Sequence, residues 1–243
     1  MKLQICMVTV GESITFEALE SIKKNTPAPY DLRVWYDARG GAVFQNFLHK
    51  ILTYTDDVIV SYKNSRLSAE WGFYTLYGDY DYLILACPDY IVKPGYFERM
   101  MMIFQEVKKA GIVGEAWRPM EEPYVVDDPD RGPDGIAMLK REAINDIGGI
   151  SPSFNGRGPF HQELFRRMNS KGWSYVAVDG LAPHSGEQHE GRDAIKNWRD
   201  ECHLDNLVWL SLEKQGFSNP LWWRNDIAGT ERKQSAEREV VQK

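Results

Sequence analysis

Short apolar runs that stop at glycine or aspartate, alternating with stretches of helical periodicity, constrain this chain more than any other feature. Gln4 to Val10 runs apolar up to Gly11, as a strand buried on both faces of a parallel sheet does. Phe16, Leu19 and Ile22 then recur at three-residue steps, and Pro27 and Pro29 close the segment, so Phe16 to Lys24 reads as a surface helix with Ser13 or Thr15 as its cap. Leu32 to Tyr36 returns to a strand that stops at Asp37 before Gly40 and Gly41. Phe44 to Tyr54 reads as helix, Asp57 to Tyr62 as strand, Ala69 to Tyr77 as helix and Tyr82 to Ala86 as a buried strand. Strands and helices that alternate in this way predict a mostly parallel sheet flanked by helices.

The second half is less regular. Pro94 to Lys109 predicts a helix whose apolar face is built from Phe97, Met100, Met101, Ile103, Phe104 and Val107. Trp117 to Pro133 is rich in proline and acids, which predicts a loop or edge strand. Gly135 to Ile147 reads as a strand and short helix running into Gly148 and Gly149. Gln162 to Lys171 predicts a helix, Trp173 to Val178 a strand, and the region from Ala194 to about Gln215 a further helix before a charged tail. No repeat and no Gly/Ser linker divides the chain, so 243 residues are expected to form one compact unit.

Composition narrows the functional classes. The longest apolar runs, Tyr82 to Cys87 and Ile5 to Val10, fall far short of the roughly 20 residues of a membrane helix. The start, MKLQICMVTVGES, lacks a small-residue cleavage site and reads as a first strand rather than a leader. Cys6, Cys87 and Cys202 form no CxxC pair, and their odd number fits a reducing cytoplasm better than a disulfide framework. A net charge of -6 supplies no global field for nucleic acid. Trp71, Trp117 and Trp173 could serve as platforms for sugar rings, but tryptophans in an apolar pattern are usually packing residues.

In an open parallel sheet, ligands bind beyond the carboxyl ends of the strands. Three places there carry polar chemistry. Asp37 follows the second strand, where it could accept hydrogen bonds from a base or ribose, or form an Asx-turn. Asp89 follows a buried strand in CPDYIVKPG. PFHQELFRRMNSKGW and APHSGEQHEGR bring His161, Glu163, His184 and His189. Further phrases are NSRLSAEWG, with Asn64, Ser65 and Arg66, and DGIAMLKREAINDIGGISPSF, with its Gly-Gly turn.

The order of these elements and phrases, over roughly Leu3 to His184, resembles the family 2 glycosyltransferases and their GT-A relatives. The resemblance implies an α/β fold of the GT-A, Rossmann-like kind, with a mostly parallel sheet flanked by helices and a helical C-terminal extension. The glycosyltransferase domain is expected over 1–193, as a nucleotide-sugar-binding half (1–110) and an acceptor-side half (111–193), with the extension and tail over 194–243. The implied activity moves a sugar from a nucleoside-diphosphate sugar, UDP-sugars favoured, to a hydroxyl acceptor on a saccharide or other molecule, with inversion at the anomeric carbon.

The same resemblance distributes roles. Asp37 takes the place of an Asp that contacts the donor base, with Thr9, Val10, Asn64, Arg66 and Pro88 on the donor side. Asp89 stands as the second acid of an Asp-x-Asp metal motif in which Cys87 replaces the first, and His184 matches a metal-coordinating His. One Asp with diphosphate oxygens and water can still hold a divalent cation, Mn2+ or Mg2+. Without the resemblance, His184 reads as a loop histidine. Phe160, His161 and Glu163 occupy the acidic pattern that carries the base, which leaves Glu163 and His161, with Glu163 preferred. Arg66, Arg157 or Arg192 could assist the leaving group, while Arg166 and Arg167 either meet an anionic acceptor or form a solvated face.

Other readings compete. A GT-A-like scaffold without catalysis, binding nucleotide or glycan, is suggested by Cys87 and the altered acidic pattern. Nucleotidyl transfer ranks lower, because no Gly-rich, Arg/Lys-containing signature lies near Val10. A modified base in DNA is an alternative acceptor, unsupported by the net charge.

Overall fold

The structure is a computed structural model that describes residues 1–38, 43–62, 67–116, 120–128, 133–151, 153–154, 160–184 and 198–214. One sheet of eight strands runs through it: β1 (Leu3–Thr9), β2 (Asp31–Asp37), β3 (Asp57–Ser61), β4 (Tyr82–Ala86), β5 (Ala110–Ala116), β6 (Tyr124–Val126), β7 (Pro133–Lys140) and β8 (Ser174–Val178). The described helices are α1 (Thr15–Asn25), α2 (Val43–Ile51), α3 (Leu67–Tyr77), α4 (Tyr96–Glu106), α5 (Arg141–Ile147), α6 (Phe160–Ser170) and α7 (Trp198–Lys214).

The strand order is β3-β2-β1-β4-β7-β5-β8-β6. The first four strands are parallel, and β5 is parallel to β8. Strand β7 is antiparallel to both β4 and β5, so β5 and β8 share the direction of β1 to β4. The sheet is therefore mostly parallel, with β7 and the edge strand β6 reversed.

Because side chains alternate across a strand, each strand feeds two apolar layers. Leu3, Ile5 and Met7 of β1, Ile84 of β4 and Met138 of β7 pack with Leu19 and Ile22 of α1, Ile51 of α2, and Met100 and Ile103 of α4. Cys6 and Val8 of β1, Leu83 and Leu85 of β4 and Leu139 of β7 pack with Tyr74 of α3, Ile144 of α5, Met168 of α6 and Leu212 of α7. Trp71 and Trp173 belong to this second layer, so both are packing residues.

Two local expectations are corrected. The N-cap position of α1 is Ile14 rather than Ser13 or Thr15, and the Thr15 hydroxyl turns inward to the Thr9 hydroxyl at 2.8 Å. The helix predicted to reach Lys109 stops at Glu106, because Val107 is extended and Lys109 adopts a left-handed conformation, turning the chain into β5. Strand β5 was not expected, yet every residue of it is buried. Its Gly111 is required by close approach: a Cβ there would overlap Met168 Cε and lie 2.8 Å from Ala143 Cβ.

Candidate active site at the carboxyl ends of the strands

Strands β2, β1 and β4 are neighbours, so the residues that close them meet along one edge of the sheet. Asp37 ends β2 and is only 2% exposed. Thr9 ends β1, and its hydroxyl donates to Glu12 Oε2 at 2.8 Å, while the Val10 amide donates to the same oxygen at 3.0 Å. The Glu12 carboxylate thus folds over the two positions that the sequence assigns to the donor side. Beyond β4, Cys87, Pro88 and Asp89 form a turn whose Cys87 amide donates to the Gly135 carbonyl at 2.6 Å. The Cys87 side chain packs on the apolar layer of α3 and α5, which suits a thiol better than an acid.

Asp89 and His184 come together, although 95 residues separate them in the chain. His184 Nε2 lies 3.0 Å from Asp89 Oδ2, with the side chains 25% and 34% exposed respectively. Two backbone arms hold this pair. On one, the Val92 amide donates to Ser21 Oγ at 3.1 Å and the Val92 carbonyl accepts from Asn25 Nδ2 at 3.0 Å, tying the segment after Asp89 to α1. The arms are zipped to each other: Ile91 donates to the Pro183 carbonyl at 3.3 Å, Lys93 donates to the Leu181 carbonyl at 2.9 Å, and Tyr90 and His184 form a β-bridge.

The second arm is fixed by a residue that sequence reasoning missed. Glu115, near the end of β5 and 6% exposed, accepts the amides of Gly180 (2.9 Å), Leu181 (2.5 Å) and Ala182 (2.8 Å). Burial pushes the Glu115 carboxyl above its ordinary range, and the three amide bonds oppose that shift. A carboxylate one residue from the end of a buried strand was the signal, but it needed β5 to be recognised first. Gly135 was missed as well. It has φ +65, and a Cβ there would overlap the ring of Tyr90, which packs edge-on against the His184 ring with centroids 5.0 Å apart.

The two base candidates fare differently. Glu163 is 2% exposed and both of its oxygens are held by Arg167, at Nε and, at 2.9 Å, at Nη2. Arg167 Nη1 also donates to the carbonyls of Ile147 (2.8 Å) and Gly149 (2.7 Å), so the pair clamps α6 to the Gly-Gly turn. The expectation of a solvated or acceptor-binding Arg167 is corrected by this burial. Its neighbour Arg166 does lie outward, over the ring of Trp209 on α7 at 4.7 Å. His161 stands in the first turn of α6. Asn64, Arg66, Trp117, Arg157, His189 and Arg192 lie outside the described residues.

The Asp89 and His184 donor set can be tested against a divalent cation. One carboxylate oxygen and one imidazole nitrogen suit Mn2+, and cis ligands of an octahedral ion with bonds of about 2.1 Å stand about 3.0 Å apart. The observed 3.0 Å is also the length of a direct hydrogen bond between the two groups, so an ion would have to take the place of that contact while keeping the same two atoms as ligands. Among the described residues no group of three or more His, Cys, Asp or Glu forms an ion site. An ion held by this pair would have to take its remaining ligands from phosphate oxygens and water. No described helix is long and apolar enough to cross a membrane.

No protein-family model matches the chain, and no curated protein matches it in sequence. Solved structures do match in shape. A mannosyltransferase from Pyrobaculum calidifontis, solved with GDP-Man and Mn2+, aligns over 79% of this chain and 59% of its own, with a TM-score of 0.59 at 11% identity. GalNAc-T7, solved with UDP, GalNAc and Mn2+, aligns over 73% of this chain and 41% of its own, with a TM-score of 0.55 at 11% identity. S. aureus TarS, solved as its residues 1–349, aligns over 74% of this chain and 60% of that fragment, with a TM-score of 0.53 at 10% identity. The chain thus spans less than two thirds of each of these proteins. At such low identity the likeness concerns architecture, and the architecture is the GT-A fold of glycosyltransferases.

Proposed function

We propose that this chain is a glycosyltransferase that moves a sugar from a nucleoside-diphosphate sugar to an acceptor hydroxyl, with a divalent cation held by Asp89 and His184. The observation that carries the reading is the 3.0 Å approach of Asp89 to His184 at the carboxyl edge of a GT-A sheet. The cation, Mn2+ or Mg2+, would supply Lewis-acid stabilisation of the charge that builds on the departing diphosphate. Asp37, Thr9 and Val10 line the strand ends where the donor's nucleoside is expected, with Pro88 in the turn beside them. For the donor to reach the Val10 amide and Thr9 hydroxyl, the Glu12 carboxylate must swing away from both.

The acceptor hydroxyl attacks the anomeric carbon opposite the leaving diphosphate, which inverts the configuration there, and loses its proton to a base. Glu163 is a poor vehicle for that proton because both oxygens are committed to Arg167 in a buried site. The reading therefore moves the base to His161, whose imidazole nitrogen titrates near neutral pH in the unperturbed side chain. Glu163 and Arg167 hold the turn of α6 on which His161 stands.

The test is release of nucleoside diphosphate from a panel of UDP- and GDP-sugars, hydrolysis by water included, with Mn2+ and after chelation. The expected result is metal-dependent turnover that Asp89→Ala and His161→Ala each lower by roughly 10²-fold or more. Binding of nucleotide without any turnover would replace this reading with a non-catalytic nucleotide- or glycan-binding scaffold.

A further inference from the structure

Beyond the pair that touches the cation, we propose that Glu115 is the positioning residue that aims His184 at Asp89, an inference that rests on the metal reading of that pair. His184 follows β8, which is separated from β4 by β5 and β7, so the chain after Val178 must travel back across the sheet edge to reach Asp89. Glu115 sits on the intervening strand β5, opposite Val178. Its carboxylate gathers three successive amides, those of Gly180, Leu181 and Ala182, and turns the segment toward the Asp89 arm. Two residues later His184 stands beside Asp89, and the carbonyls of Leu181, within the gathered segment, and of Pro183, just after it, accept the amides of Lys93 and Ile91.

A buried carboxylate is an expensive way to fix a loop unless both of its oxygens are used, and here they are. Gln at this position would keep one acceptor oxygen and turn an NH2 group toward an amide donor, so the three bonds cannot all survive. Partners that orient a metal ligand typically change metal affinity by about 10- to 100-fold when altered. Loss of the Glu115 anchor acts on His184 in the same way, through the backbone rather than through the ring.

The experiment combines Mn2+ titration of the full chain in the presence of UDP with NMR of the His184 ring, assigned with His184→Ala. Glu115→Gln is expected to weaken Mn2+ binding by about 10- to 100-fold and to move the His184 ring signal. In the His184→Ala background the same substitution is expected to leave Mn2+ affinity unchanged, because a residue that acts through His184 has nothing left to act on. Should Glu115→Gln fold poorly, Glu115→Asp keeps the charge, retracts it by one methylene, and is expected to show a smaller loss of the same kind. Equal losses of affinity with and without His184, or an unmoved His184 signal in a folded variant, would overturn the proposal. Wild-type protein that ignores Mn2+ while its His184 ring still responds to Glu115→Gln would uphold the positioning role and refute the metal reading alone.

Discussion

Asp89 and Glu163 are both carboxylates in suggestive motifs, and the fold places them in opposite surroundings. Asp89 lies past a strand end, about one third exposed, beside a histidine contributed by a distant part of the chain. Glu163 lies in a helix, sealed from solvent, with both oxygens held by an arginine one turn further on. The difference teaches that an acid available for chemistry keeps an open face, whereas an acid whose oxygens are all claimed by a buried arginine organises structure.

The contrast is sharpest in stability. Arg167→Ala leaves the Glu163 charge buried and strips the carbonyls of Ile147 and Gly149 of their donor. It is expected to cost about 3–5 kcal/mol in denaturant unfolding. Asp89→Ala should stay within about 1 kcal/mol of wild type, as a partly exposed pair does. Similar losses for both would erase the distinction.

In turnover the order reverses. Asp89→Ala is expected to lower kcat/KM by roughly 10²- to 10³-fold in a nucleotide-sugar assay, the scale on which one electrostatic contact to a transition state matters. Glu163→Gln, measured where the variant is still folded, is expected to retain kcat within about tenfold, because the proposed base is His161 and both Glu163 oxygens are committed to Arg167. A collapse of kcat in folded Glu163→Gln would return the base to Glu163.

Packing around the open acid can be probed through Gly135. Gly135→Ala places a Cβ inside the Tyr90 ring and demands a left-handed conformation of alanine. It is expected to cost about 1–3 kcal/mol by overpacking and to weaken Mn2+ binding, because Tyr90 packs on His184. Unchanged melting and binding would show that the ring moves aside without consequence.

The smallest effect concerns pH. The Glu115 carboxyl titrates above its ordinary value of 4.5, burial being the main cause. Its folded form therefore binds the proton more readily than the unfolded chain does. The stability it contributes is fully present below about pH 4.5 and declines as pH rises through the raised value. The difference in unfolding free energy between wild type and Glu115→Gln should fall with increasing pH across that window, and a rise would reverse the assignment.

Much of the first half was legible because its strands announce themselves. Gln4 to Val10 and Tyr82 to Ala86 are mostly apolar on both faces, and the first helix carries Phe16, Leu19 and Ile22 at three-residue steps. Strand β5 escaped because Gly111 and Gly114 interrupt its apolar run, and because Val107 to Lys109 looks like a continuing helix until Lys109 turns left-handed. The reversal of β7 is not written in its side chains, since alternation across a strand is the same in either direction.

At the site, Asp89 and His184 were legible as a pair only through resemblance, and the geometry of their approach supplied the rest. Arg167 misled because a charged residue one turn along a helix from an acid reads as surface, and its burial with Glu163 against the Gly-Gly turn depends on contacts that spacing does not encode.

The most direct test of the central claim is the melting temperature of the full chain with UDP or GDP, each with Mn2+ and with chelator, repeated on Asp89→Ala. A nucleotide at about 100 times its Kd stabilises by about 2.7 kcal/mol, which for a chain of this size is a rise of roughly 5–10 °C. The account predicts that rise for one diphosphate, only with Mn2+, and its loss in Asp89→Ala. A shift that persists with chelator and in Asp89→Ala, or no shift with either nucleotide, would contradict it.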